Sequence, residues 1–347
     1  MTPQGESLVV EQGEEQDEEA SRGSALPRYL LLKAGGAITS LIMVVILGFF
    51  SFRILPGSDP AINMTRGRRV SADQVALLRK QFGLDKPLII QFFRFVSDLF
   101  TGNLGDSYVY NQPVSKLILT HLVPTLLLTG SAAILSIIIG LWLGQKAAWK
   151  RGSLFDRMNT GVALIFWSVP TFWLGLLLLL IFGGWLHLFP AGGLQTADSG
   201  YTGISWLLDV LWHLTLPVLT LVAVVYAQYL MVMRASVIEE MTSDYLTTAR
   251  AKGLREDKVR TRHAVPNALL PTVTLIFLTL GGLVGGAVTV ETVFSWPGLG
   301  YLTYQALSAP DLPLLQGTFV VFSAIVIIMN FVADLVYRVL DPRLRAA

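Results

Sequence analysis

The side chains of this sequence that could do covalent or metal chemistry are few and badly spaced for it. His121, His187 and His213 are scattered and share no helical face, which is poor geometry for a metal site. Ser136 and Ser168 lie in apolar stretches without a histidine on a matching face, so no nucleophile and base pair is formed. The chain has no cysteine, which removes disulfides, thiolate ligands and cysteine nucleophiles together. No Gly-Lys dipeptide occurs, so a phosphate-binding loop of the Gly-x-x-x-x-Gly-Lys-Ser/Thr kind is missing. What remains is a polar stretch, Arg234 to His263, whose residue types suit mechanical docking. Ser243 or Asp244 can cap a helix carrying Tyr245, Leu246, Ala249 and Lys252, and Gly253 offers the left-handed backbone that ends it. A second short helix then starts near Glu256. Thr248, Ala249 and Ala251 are small enough for another protein to approach the backbone, with Leu246 and Leu254 as apolar anchors beside them. Such a helical knob fits a groove on a partner, and a plain connector is the competing reading.

The elements that must position this knob are strongly apolar. Of 347 residues 53% are hydrophobic and 14% charged, against roughly a quarter charged in an ordinary soluble protein. Six windows free of Asp, Glu, Lys and Arg run Ala34–Phe52, Leu122–Gln145, Met158–Leu186, Val210–Met233, Ala264–Val290 and Leu312–Ala333. Each approaches or exceeds the roughly 20 residues a helix needs to cross the hydrocarbon of a bilayer. Helices satisfy their own backbone groups there, so the expected fold is an all-α polytopic membrane protein with six crossings. The first window sits behind a long tail and is followed by Leu55-Pro-Gly57, so it is read as a retained helix rather than a signal peptide.

Basic residues number four in 146–157, seven in 234–263 and three after Ala333, and none fall in 187–209 or 291–311. This asymmetry predicts both termini and the 146 and 234 loops in the cytoplasm. The expected organisation is an acidic, disordered tail over 1–25, a first crossing within 26–52, an extracytoplasmic loop over 53–120, a membrane core over 121–338 and a short tail over 339–347. In the outer loop, Ser71-Ala-Asp-Gln74 is a capping box opening a helix toward Phe82, and an amphipathic stretch runs from Lys86 to Phe100. The membrane windows carry no midplane charge, which argues against an ion-coupled carrier. Asp334 and Arg338, four apart, can pair at the end of the last helix. A net charge of +2 is too small to hold a phosphate backbone, so nucleic acid is excluded as a partner.

Asp244-Tyr-Leu-Thr-Thr-Ala-Arg-Ala-Lys-Gly-Leu254, followed by Arg262-His-Ala-Val-Pro-Asn-Ala268, resembles the coupling loop of the dipeptide/oligopeptide/nickel family of ABC importer permeases. Leu55-Pro-Gly57, Phe82-Gly-Leu-Asp85, Gly105-Asp-Ser107, Ser168-Val-Pro-Thr-Phe-Trp173, Glu291-Thr-Val-Phe-Ser-Trp-Pro-Gly-Leu-Gly300 and Leu340-Asp-Pro-Arg343 extend the resemblance from about Arg28 to the end. The acidic amino-terminal extension and the Gly193–Trp206 insert depart from the family pattern. The resemblance implies a type I importer transmembrane domain in a bacterial or archaeal cytoplasmic membrane. It implies pairing with a second related permease, two cytoplasmic ATPases that bind ATP and Mg, and an extracytoplasmic substrate-binding protein. The chain itself would bind no cofactor and catalyse nothing. Peptides lead as cargo, with nickel chelates, glycosides or another small solute as alternatives and a stand-alone secondary carrier as a remote one. Asp244, Tyr245, Leu246, Thr248, Ala249, Ala251, Lys252, Gly253 and Leu254 would then form the ATPase-coupling loop. Gly281, Gly282, Gly285 and Gly286 in the fifth window would line the path or pack closely against another helix. Glu291, Pro297 and Gly298 belong to a turn that either gates the outer mouth or connects helices.

Overall fold

The computed structural model describes residues 29–53, 71–81, 84–309 and 311–340. The acidic tail, Leu55-Pro-Gly57, Phe82-Gly83 and Asp341–Arg343 lie outside the described residues. Helix α1 is Tyr29–Arg53, α2 Ala72–Gln81, α3 Leu88–Phe100 and α4 Val114–Trp149. Then follow α5 Leu154–Ser168, α6 Thr171–Leu178 with a π-helical extension Leu179–Trp185, and α7 Ile204–Glu240. The knob is α8, Asp244–Ala251, and the short α9, Glu256–Val259, passes through a π turn Arg260–Ala264 into α10, Val265–Val293. Helices α11, Leu299–Ser308, and α12, Leu312–Leu340, complete the described residues. Among the described residues the only β feature is the isolated bridge between Asp106 and Pro113.

The centre of the bundle is the pair α4 and α7, which run in the same direction. Their contact is close because Gly140 and Gly144 are spaced four apart on α4. A Cβ at Gly140 would lie 2.5 Å from the Cβ of Tyr229 and 2.7 Å from the carbonyl of Tyr226. At Gly144 it would meet the Leu230 carbonyl at 2.7 Å. Small residues at this spacing let two backbones touch where lipid provides no hydrophobic drive for association. Gly140-Leu-Trp-Leu-Gly144 carries the same paired-glycine spacing as 281–286, and it is this pair that meets α7.

The bundle has two unlike ends. The C-terminal ends of α4 and α7 and the start of α10 meet at a cluster of Ala148, Met233, Val237 and Ala268, beside which α8 projects; this is the knob end. The opposite end is closed by Leu128, Val210, Leu214, Val290, Phe294 and Trp296. Along α4 the two clusters are separated by the stretch from Leu128 to Ala148, about 30 Å of helix.

One expected crossing is corrected. The window Met158–Leu186 is not a single helix, because α5 and the α6 helix are bent by 101° at the Val169-Pro170 break. Pro170 has no amide hydrogen and pushes the preceding residue out of the helical region, and Val169 is extended at φ −84°, ψ 131°. The other windows lie within helices that outrun them, so the polar loop 234–263 is shorter than its composition suggests: Arg234–Glu240 is the last part of α7. The Ser71 capping box forms, with Gln74 N donating to Ser71 Oγ at 3.4 Å and Ser71 N to Gln74 Oε1 at 3.3 Å.

Candidate functional site: a knob at one end and a stapled turn at the other

At the knob end, α7 stops at Glu240 and the chain turns through Ser243, whose backbone is extended at φ −75°, ψ 140° while its hydroxyl makes no cap bond. Helix α8 follows and ends where Gly253 takes φ +77°. A Cβ added to Gly253 would meet nothing within 4 Å. The glycine is required by its backbone torsion and not by crowding.

Of the expected anchors, Leu246 is buried with Ala249, Val259 and Ala264, and Leu254 packs against this cluster together with Trp149 of the same chain. Apolar side chains at i and i+3 of a short helix gain most by burial at home. The surface left outward is polar or small: Asp244, Tyr245, Thr247, Thr248, Ala251, Lys252 and Gly253. Tyr245 ties the knob to its base. Its hydroxyl donates to the Glu240 carboxylate and accepts from Asn267 Nδ2 at 2.9 Å. Partial burial holds this phenol above its usual range, opposed by the Asn267 donor and assisted by Glu240.

A second tie was not foreseen. Arg234 Nε and Nη2 grip the Asp156 carboxylate at 2.6 and 2.8 Å, joining the end of α7 to the start of α5. Asp156 also accepts from Gly152 N at 2.9 Å, and its own amide donates to Ser153 Oγ at 3.3 Å. Ser153-Leu-Phe-Asp156 has a capping-box-like spacing, which is the local sequence signal for this arrangement. Asp334 takes Lys33 Nζ at 2.9 Å, which fastens α12 to α1; its expected pairing with Arg338 falls on a side chain outside what is described.

At the opposite end Glu291, Pro297 and Gly298 come together. Glu291 is fully buried. Its Oε1 accepts from Thr125 Oγ1 at 2.7 Å and its Oε2 from Tyr301 N at 3.0 Å. Thr125 Oγ1 also accepts from Leu299 N at 2.7 Å. The carboxylate therefore caps the N-terminus of α11 from the last turn of the preceding helix, α10, where the free amides and the helix dipole favour an anion. Gly298 has no Cβ because the Glu291 carboxylate occupies that space, and a Cβ at Gly300 would lie 2.5 Å from Val288 Cα. Ser295 turns the chain at φ +46°, and the buried indole of Trp296 donates to the Pro124 carbonyl at 2.9 Å. Two more carboxylates do similar work nearby. Asp311 accepts from Ser107 Oγ at 2.5 Å and Val109 N at 3.1 Å, and Asp209 from Thr196 N at 2.6 Å and Thr196 Oγ1 at 2.7 Å. Burial beside Asp311 pushes the Tyr108 phenol up to about 12. His213 stands 3.5 Å from Asp209, and the His121 ring nitrogen faces the Leu117 carbonyl at 2.8 Å, both local structural partners.

Between the ends a groove of about 380 Å³ opens on the side of the bundle, lined by Thr171 and Leu221, by Val225 and Gln228, and by Thr279 and Gly282 among others. Of the expected glycines, Gly282 faces this groove, whereas Gly281 packs on α12, 3.3 Å from Met329 Cβ by its missing Cβ. Gly285 and Gly286 continue α10, and their surroundings lie outside what is described.

Comparison with known proteins places this geometry. Residues 107–346 match the model of the binding-protein-dependent transport system inner membrane component, and residues 26–129 match its amino-terminal companion. The glutathione transport system permease protein GsiC of Salmonella paratyphi A is 38% identical over 321 residues, 91% of this chain and 98% of its own. A putative peptide permease protein of Brucella suis is 37% identical over 319 residues, 92% and 99% of the two chains. The dipeptide transport system permease protein DppB of Alkalihalophilus pseudofirmus is 36% identical over 335 residues, 92% and 98%. An inward-facing structure of the MetNI methionine ABC transporter superposes with a TM-score of 0.49 at 18% identity, over 65% of this chain and 96% of that one. With two family models spanning nearly the whole chain and relatives this similar end to end, the chain belongs to the binding-protein-dependent transport system inner membrane components, the multi-pass permease subunits of ABC importers.

Proposed function

We propose that this permease carries peptides, and that α8 is the element through which separate ATPase subunits move it. The cargo reading is supported by relatives named for glutathione, peptides and dipeptides. The complete importer joins the chain to a second, related permease, to two cytoplasmic ATPases that hold the ATP and Mg, and to an external substrate-binding protein. In this arrangement both termini and the knob face the cytoplasm, and the Glu291 turn faces outward.

The observation that carries the coupling role is the division of α8 into two faces. Leu246 and Ala249 lock it onto the residues leading into α10. The outward surface of Asp244, Tyr245, Thr248, Ala251, Lys252 and Gly253 makes no apolar core contact of its own. A push on that surface is transmitted to α7 through the Tyr245–Glu240 bond, to α10 through Asn267, and to α5 through Arg234 and Asp156. Closure of a nucleotide-loaded ATPase pair around the knob then rotates these helices as rigid bodies. The two permease states must bind the ATPases with different affinity for this to shift their balance. The groove beside Gly282 and Gln228 supplies the half-path for cargo, with the second permease as its other wall. At the outer end the Glu291 turn moves with α10 as one gate leaf.

The test uses the assembled importer in proteoliposomes with Gly253→Val in this chain. Peptide uptake and transport-linked ATP hydrolysis fall together while insertion and assembly persist. Undiminished uptake, or solute accumulation by this chain alone, refutes the coupling role.

A further inference from the structure

A second cleft, of about 640 Å³, lies at the end opposite the knob, between the end of α1, the polar side of α3, the 103–111 segment and the start of α12. Its walls carry both signs of charge. Lys86 and Arg94 supply cations and Asp98 and Asp106 carboxylates, with Arg53 also at the wall, its guanidinium 5.7 Å from the Phe49 ring centroid. Among the described residues none of Lys86, Arg94, Asp98 or Asp106 forms an ion pair, although Arg94 and Asp98 stand four apart on one helix, where such pairs readily form.

Two amides add direction. Gln316 is only 7% exposed, lines this cleft, and leaves its buried Nε2 without an acceptor. Gln91 spends its Nε2 on the carbonyls of Lys86 at 2.8 Å and Leu84 at 3.4 Å. That orients the amide and leaves a buried Oε1 without a donor. Buried polar atoms are nearly always satisfied, so a free donor and a free acceptor in one charged cleft point to an occupant bearing both complements.

The surroundings say where that occupant comes from. Helix α3 turns Ile89, Phe93 and Phe100 outward, at 53%, 64% and 88% exposure, while Phe92 and Phe95 pack on Phe49 of α1 at ring separations of 5.4 and 5.5 Å. A helix with one polar side and a bare aromatic side belongs in the plane of the membrane interface. Arg53 ends one membrane helix and Gln316 lies one turn, about 6 Å, inside another, so the cleft opens at headgroup depth.

We propose that this cleft is a binding site for a phospholipid whose headgroup carries a phosphodiester and a primary ammonium, as phosphatidylethanolamine does. The phosphate lies against Arg94, Lys86 and the Gln316 Nε2 donor, as guanidinium and amide groups bind phosphate oxygens. The ammonium donates to Gln91 Oε1 and to the Asp98 and Asp106 carboxylates. The acyl chains run beside the exposed face of α3. The site depends on the chain's being a membrane protein and not on how α8 is driven.

The test reconstitutes the purified full-length chain in nanodiscs made with phosphatidylethanolamine, phosphatidylcholine or phosphatidylglycerol, and measures lipid retained after transfer to mild detergent. Phosphatidylethanolamine is retained about tenfold over phosphatidylcholine, whose quaternary ammonium donates no hydrogen bond, the ratio expected for one charge-assisted bond. Phosphatidylglycerol, lacking the ammonium, is retained equally poorly. Asp98→Asn, which weakens an acceptor of the ammonium, removes most of the preference, and Arg94→Gln, at an exposed position, and Gln316→Leu each lower retention of all three lipids while the chain elutes as a single species. Equal retention of the three lipids, a preference unchanged in Asp98→Asn, or retention unchanged in Arg94→Gln overturns the site. Displacement of the lipid by millimolar free phosphoethanolamine overturns the lipid assignment in favour of a soluble zwitterion.

Discussion

The two ends of the bundle use their polar groups differently. Opposite the knob, Glu291 and Asp311 are fully buried and Asp209 nearly so, and all three take their hydrogen bonds from backbone amides and hydroxyls of neighbouring segments. At the knob end the core under α8 is small and apolar, built on Leu246, Ala249, Val259 and Ala264; Asp156 is buried beside it in the grip of Arg234, and apart from Tyr245, which ties back to Glu240 and Asn267, the outer residues of α8 are exposed. A buried carboxylate held by several donors fixes one arrangement, since each donor left unpaired is costly in a dry interior. A polar surface on a lightly anchored helix has no such demand until another molecule meets it. One end is therefore built for internal precision and the other for contact.

Removing a buried acceptor probes this contrast most severely. Glu291→Ala strands the amide of Tyr301 and the Thr125 hydroxyl, and should destabilise the protein by about 3 kcal/mol or more, seen as a lower thermal midpoint in detergent. Asp156→Ala comes next, because it leaves the partly buried Arg234 without its bidentate partner. The expected loss is about 2–3 kcal/mol, and the double variant with Arg234→Leu should recover part of it in a double-mutant cycle. Gly253→Val has a smaller effect on the fold, about 1–2 kcal/mol for a side chain held at positive φ, yet it should abolish most coupled transport. Thr248→Lys, on the exposed face of α8, should leave the thermal midpoint within about 0.5 kcal/mol of its starting value while reducing transport-linked ATP hydrolysis in the assembled importer. If Thr248→Lys destabilises the isolated chain as much as Glu291→Ala, the two ends are not different in kind.

Much of the architecture was legible. The six charge-free windows follow from the cost of placing charge in hydrocarbon, and each falls within one helix except Met158–Leu186. That window failed because apolar length says nothing about direction, whereas Val169-Pro170 bends the chain by 101°. The limits of α8 were readable from Ser243 and Gly253, since a helix stop depends on local torsions. The fate of Leu246 was not, because an apolar residue on a small helix is equally suited to a partner's groove or to its own core until the neighbours are in place.

Transfer of apolar length out of water and the backbone preferences of single residues act over a few positions, and they set the number of crossings, the helix-turn-helix of the knob and the family motifs. Partner choice acts across the chain. Thr125 reaches Glu291 over 166 positions and Arg234 reaches Asp156 over 78, and Asp334 takes Lys33 from the first helix. Those pairings arise from packing, which alone decides which donors are left facing which acceptors once the helices have closed on one another.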